Sequence, residues 1–98
     1  MLTLPIKKKW FDMIASGEKL EEYRAITPYY TTRFENELKR TFENGGRFLV
    51  RLRNGYGFGL PEVIARVKLD TGEGRAEWGA VPGVKYYRLH IIEILVRP

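Results

Sequence analysis

The stretch Arg47-Phe48-Leu49-Val50-Arg51-Leu52-Arg53 decides the fold class, because its apolar and charged residues alternate. A period of two places the apolar side chains on one face of a β-strand and the arginines on the other. The stretch Val63–Leu69 repeats this alternation. A third run, Tyr86–Val96, is apolar on both faces near its middle, which is typical of a central or bulged strand. The second half of the chain is therefore predicted to be a β-sheet.

The first half of the chain alternates between strand and helix patterns. Helical spacing places Trp10 on the apolar face of the first helix and Tyr30 on that of the second, so both are expected to face the core. Gly17 is expected to end the first helix in the left-handed conformation, and Thr27-Pro28 is expected to cap and open the second. The predicted elements are a short strand over 2–4 stopped by a proline, a helix from residue 6 to 16, a strand over 20–26 and a helix from 28 to the glycines at 45–46.

The order β-α-β-α-β-β-β leaves the last three strands without helices between them, so parallel βαβ winding is disfavoured. We predict an α+β fold, in which a small mixed β-barrel of about five to six strands carries two flanking helices. A length of 98 residues fits a single domain over 1–98.

Composition excludes several classes of function. Cysteine is absent, which removes disulfides and thiolate catalysis, and one histidine and one serine leave little for a hydrolytic triad. No apolar run approaches the length of a membrane span and no signal-peptide pattern opens the chain, so a soluble cytoplasmic protein is expected. No cofactor and no metal ligand set is predicted, and oligomeric state is left open. A net charge of +5, with ten arginines among seventeen basic residues, favours a polyanionic partner such as RNA.

The densest functional pattern is Ser16-Gly17-Glu18-Lys19-Leu20-Glu21-Glu22-Tyr23-Arg24, at a helix-to-strand junction. Gly17 permits a sharp turn, after which Lys19 is expected at the mouth of a pocket. Glu22 and Arg24 should project from one side of the following strand, within reach of an ion pair. Such a trio can bind a polar ligand, because Arg and Lys donate to phosphate or carbonyl oxygens and Glu accepts from base amino groups. A helix cap followed by a solvated charged strand is the alternative.

The spacing Gly17-x-Lys19-x-x-Glu22-x-Arg24 resembles the GxKxxExR signature of the ASCH domain, which is related to the PUA domain of RNA-modifying proteins. The resemblance covers most of the chain and extends to Glu77-Trp78-Gly79 and the apolar final strand. It implies a PUA-like barrel with a polar cleft at the signature, and one domain that binds RNA, a nucleoside or a nucleotide.

The resemblance also implies an alternative function, hydrolysis of RNA or of an N4-acetylcytidine-type amide in the same cleft. Lys19 stands at the lysine position of the deacylase branch, but Glu22 stands where that branch has threonine. In a ribonuclease Glu22 would act as general base toward a 2′-hydroxyl, with Lys19 and Arg24 stabilising the phosphorane. Glu77 is a candidate second carboxylate.

Two loops and one strand face supply further candidates. Tyr56 and Phe58 lie in a glycine-rich turn and are expected either to stack on bases or simply to connect a hairpin. Trp78 lies in the long stretch 70–83 and is expected either to line the ligand cleft or to cover the barrel end. One strand face could follow a phosphate backbone, and a solvated face is the alternative; it contains Arg47, Arg51 and Arg53, with Arg66 and Lys68 nearby if the two strands pair. A protein-interaction module that uses the aromatic loop is the third interpretation.

Overall fold

The alternating stretches of the second half form three consecutive antiparallel strands in a computed structural model. The structure describes residues 1–57 and 59–98, without the side chain of Asn44, so the prediction made for Phe58 lies outside the described residues. The elements are β1 (Leu2–Ile6), α1 (Lys8–Ala15), β2 (Glu21–Ala25), α2 (Pro28–Thr41), β3 (Arg47–Asn54), β4 (Glu62–Glu73) and β5 (Lys85–Val96), with short 3-10 turns at Phe42–Asn44 and Ala76–Trp78.

The five strands form one mixed sheet in the order β1-β3-β4-β5-β2. The sheet curls into a half-barrel with two helices, and the prediction of an α+β fold with two flanking helices is confirmed. β5 pairs with β4 along most of its length through two register shifts, which agrees with the bulged strand expected there. Because β1 and β2 are the two edge strands, the half-barrel has one seam.

The core lies on the face of this sheet against which the two helices pack. Most apolar residues of β3 and β4 that alternate with charged ones are buried there, as their spacing predicts, whereas Leu69 is half-buried. α1 adds Phe11 and Ile14 to the same cluster. α2 begins where the Thr27 side chain accepts a hydrogen bond from the Tyr30 amide at 3.3 Å, and it buries Phe34.

Three local predictions are wrong. β1 continues through Pro5 to Ile6, because an edge strand tolerates a residue without an amide proton. β1 also pairs with β3 in parallel, since the two helices and β2 together form a long crossover. β4 extends to Glu73, which shortens the irregular stretch expected after residue 69. Within the described residues, no helix is both long and apolar enough to cross a membrane.

Candidate functional site

A tight turn after α1 leads the chain into β2, an edge strand of the sheet. Gly17 has φ +86°, in the left-handed region that favours glycine, as predicted. Past it the chain folds back, so that the Lys19 amide donates to the Met13 carbonyl at 2.9 Å. This reversal directs the Lys19 side chain inward before β2 begins.

Lys19 is buried, with 1% of its surface exposed. Its ammonium donates to the Trp78 carbonyl at 2.6 Å and lies 3.3 Å from Glu22 Oε1. The same ammonium lies 4.8 Å from the centre of the Tyr23 ring and 5.3 Å from that of Trp10. Burial lowers the pKa of Lys19, and the neighbouring Glu22 carboxylate opposes this shift. The prediction that Lys19 stands at a pocket mouth is therefore wrong, because it lies behind the pocket wall.

Glu22 joins Lys19 to Arg24. Only 5% of Glu22 is exposed, and its second oxygen accepts from Arg24 Nη1 at 2.8 Å. Arg24 also donates to the Tyr23 carbonyl at 3.1 Å and to the Pro5 carbonyl at 2.8 Å. One carboxylate thus lies between two cations. The triad of Lys19, Glu22 and Arg24 therefore has one net positive charge. The period-two prediction that Glu22 and Arg24 share one side of β2 is confirmed.

The triad forms part of the wall of a cleft of about 660 Å³ at the seam between β1 and β2. Of the predicted site residues, the structure brings Glu22, Arg24, Tyr56 and Trp78 to this cleft, and Lys19 lies directly behind it. Tyr56 is 89% exposed, whereas Trp78 is buried and packs with Tyr23. Trp78 therefore lines the cleft and belongs to a second buried cluster, with Tyr23 and Ala80.

Four predicted residues lie elsewhere. Gly17 shapes the turn and is not part of the cleft wall formed by described residues. Glu77 is exposed and lies 3.4 Å from Arg75, also outside that wall. Arg51 and Arg53 lie on the outer face of β3, at 3.0 and 2.8 Å from the carboxylate of Glu62.

Sequence reasoning missed several residues of the cleft. Trp10 on α1 and Tyr30 on α2 both line it, although the helical spacing assigned them to the core faces of their helices. Gly79 also lines it with φ +102°, and a Cβ added there would stand 3.0 Å from the Trp10 indole. The sequence does contain a relevant pattern, since the aromatic residue at 10 follows three consecutive lysines. Lys7 and Lys8, the first two of these, line the cleft as well.

A second polar network extends from the triad along the sheet. The Tyr23 hydroxyl donates to Glu21 at 2.9 Å, and Glu21 lies 3.7 Å from His90. His90 in turn lies 2.9 Å from Asp70, which accepts two hydrogen bonds from Arg88 at 2.8 Å. Burial raises the pKa of Tyr23 to about 12, and the hydrogen bonds from Arg88 lower the pKa of Asp70. The network fixes β2, β4 and β5 to one another.

Residues 1–57 and 59–98 hold no group of three or more His, Asp or Glu side chains placed to bind a metal ion. Comparison of the chain with protein-family models, with curated proteins and with solved structures found no match in any of the three.

Proposed function

We propose that the cleft binds a nucleobase of RNA or a modified nucleoside, as the resemblance to ASCH domains implies. The observation that carries this proposal is the position of the Glu22–Arg24 pair in a cleft that also contains the side chains of Trp10, Tyr30 and Tyr56. Aromatic side chains supply stacking surfaces for any base, and a paired carboxylate and guanidinium supply the hydrogen bonds that orient it.

The hydrogen-bonding capacity of the pair suits the edge of a base. Glu22 uses one contact on each oxygen and has lone pairs left, so it can accept from an amino or imino group. Arg24 lines the cleft, and its Nη2 gives one of two N–H groups to the Pro5 carbonyl, so the other can donate to a ring nitrogen or carbonyl. A donor next to an acceptor on the ligand satisfies both groups. A volume of about 660 Å³ lies within the range of small-molecule sites.

Tryptophan fluorescence tests the proposal directly, because both tryptophans of the chain, Trp10 and Trp78, line the cleft. Titration with cytidine, N4-acetylcytidine, adenosine or uridine should change the emission in a saturable way for at least one nucleoside. Tyr56→Ala should weaken that binding, because an exposed stacking surface is lost. Phe42→Ala is the matched control, since Phe42 is 83% exposed and lies outside the cleft wall. No saturable change with any nucleoside, or equal losses in both variants, would contradict the proposal.

Hydrolysis in the same cleft is the second candidate, and the lowered pKa of Lys19 is the observation that favours it. A desolvated amine next to a carboxylate can serve as a base or nucleophile. The contact of Lys19 with the Trp78 carbonyl and its position behind the wall favour binding instead. Chromatography of N4-acetylcytidine and short RNAs after incubation distinguishes the two functions. If the parent chain forms product and a folded Lys19→Met variant does not, the protein is a hydrolase.

A further inference from the structure

The outer face of β3 and β4 distributes its charges unevenly. Glu62 forms ion pairs with both Arg51 and Arg53 and offsets one of their two positive charges, and Glu93 forms an ion pair with Arg66. Arg47 and Lys68 are both exposed, and neither has an ion-pair or hydrogen-bond partner within residues 1–57 and 59–98. Every basic residue of this face therefore has an acidic partner, except Arg47 and Lys68.

Those two residues stand directly opposite each other. The register pairs Arg47 with Lys68 across β3 and β4. Like charges at opposed positions of an antiparallel pair repel and destabilise the sheet. An anion bound between them would turn this repulsion into attraction, because it would contact both cations at once.

A hollow of about 690 Å³ begins at the same place, at the end of the sheet away from the cleft. Arg40 of α2, Arg47 of β3 and Arg66 of β4 line it, together with the Thr41 side chain. Glu37 is the acidic residue in this hollow; it is buried and lies 3.6 Å from Arg40. Three guanidinium groups from three elements thus surround a concave surface, and guanidinium groups bind phosphate in a two-pronged geometry.

We propose that Arg47 and Lys68, with Arg40 and Arg66 at the adjoining hollow, form a second site that binds phosphodiester groups of an RNA strand. The choice of RNA rests on the proposed function of the cleft. β3 connects the two sites, since it runs from Arg47 to Asn54, which lines the cleft. Seven steps at about 3.3 Å separate these residues by about 23 Å. At about 3.4 Å per stacked nucleotide, one strand of about seven nucleotides spans that distance.

Arg47→Ala/Lys68→Ala tests the site without breaking an ion pair. Removal of two opposed cations should leave the thermal midpoint unchanged or raise it, whereas affinity for RNA should fall. Each phosphate contact on a single strand contributes about 0.7 to the slope of log K against log salt. Loss of two contacts should therefore lower the slope by about 1.4, which corresponds to about 25-fold weaker binding at 0.1 M salt.

The assay is fluorescence anisotropy of a labelled twelve-nucleotide uridine strand between 50 and 300 mM salt. Lys39→Ala/Lys85→Ala is the control, because it removes the same charge from two exposed lysines outside the hollow. Arg47→Glu is a second variant, which should bind the strand still more weakly while its cross-strand contact with Lys68 keeps the fold stable.

A selective loss in the Arg47 and Lys68 variants supports the site. The site is refuted if the parent chain does not bind the strand, if the lysine control loses as much affinity, or if anionic-lipid vesicles compete out the strand and bind more tightly. The nucleoside titration followed by tryptophan fluorescence reports on the cleft alone and should be the same in all of these variants. If the parent chain shows no saturable change in fluorescence, the proposed function is contradicted. The second site is then tested by the strand measurement alone.

Discussion

Replacement of Glu22 by glutamine should destabilise the fold severely, although it keeps the shape of the side chain. The change removes the one negative charge that stands between Lys19 and Arg24, at 3.3 and 2.8 Å. Neither cation can move to solvent, since the Lys19 side chain is fully buried and that of Arg24 is 14% exposed. The variant would therefore hold two uncompensated cations in the protein interior.

The magnitude follows from the burial. Removal of one partner of a buried ion pair costs about 3–5 kcal/mol, because the other charge is left without compensation. A domain of this length has a total free energy of unfolding of about 5–15 kcal/mol. At about 4 °C or more per kcal/mol for a small domain, the thermal midpoint of Glu22→Gln should fall by at least about 12 °C. A test of catalysis that relied on this variant alone would therefore confuse loss of a base with loss of the fold.

The pH dependence gives a signature that belongs to Lys19. Burial lowers the folded-state pKa of Lys19 below its ordinary 10.5, so between the two values the unfolded chain binds more protons and stability rises with pH. Glu22 raises the pKa of Lys19, so Glu22→Gln lowers that pKa further. The pH range over which stability rises with pH then extends to lower pH. The stability deficit of the variant should shrink as pH increases from 7 toward 10.

Urea denaturation of the parent chain, Glu22→Gln, Lys19→Met and the double variant forms a thermodynamic cycle for the pair. The double variant should lose less than the sum of the two single losses, since it has no buried lysine left unpaired and no carboxylate left without Lys19, and only Arg24 has lost its partner. It should also lack the rise in stability with pH that Lys19 produces. Additive losses, or a deficit of Glu22→Gln that is constant from pH 7 to 10, would refute the reasoning.

Two glycines give further predictions. Gly17→Val should destabilise the fold by about 1–3 kcal/mol, because φ +86° strains a branched side chain, and Gly17→Asn should destabilise it less. Equal thermal midpoints for the parent chain and both variants would show that the backbone at Gly17 is not strained by a side chain. Gly79→Ala combines φ +102° with a Cβ at 3.0 Å from the Trp10 indole, so it should shift the tryptophan emission and weaken nucleoside binding; unchanged emission and affinity would show that the Gly79–Trp10 contact does not shape the cleft.

The sequence predicts those parts of the fold in which one physical rule dominates. The alternation of β3 and β4 fixes which side chains are buried, because a period of two has only one arrangement over an apolar core. The turn at Gly17 follows equally from the αL preference of glycine. The passage of β1 through Pro5 and its parallel pairing with β3 could not be predicted, since both depend on which strands become edges.

The candidate site divides in the same way. The Glu22–Arg24 pair follows from strand periodicity, but the burial of Lys19 does not, because it requires the Trp78 carbonyl from a residue 59 positions later. Trp10 and Tyr30 were predicted to face a core, which a helical period can indicate, whereas their position at the seam depends on how both helices pack on the sheet. Glu77 illustrates the opposite error, since proximity to Trp78 in sequence suggests a place in the cleft and the backbone turns the carboxylate toward Arg75.

The seam explains why one residue is tied to both stability and binding. β1 and β2 are the edge strands of the half-barrel, and the side chain of Arg24 crosses from β2 to the carbonyl of Pro5 on β1. The same guanidinium holds Glu22 and lines the cleft. A ligand that contacts Arg24 would therefore bind the folded chain, in which Arg24 bridges the seam, in preference to the unfolded chain. A bound nucleoside should accordingly raise the thermal midpoint as its concentration increases. Since the cleft exists only where the sheet fails to close, the groups that hold the seam together are also the groups that a ligand meets.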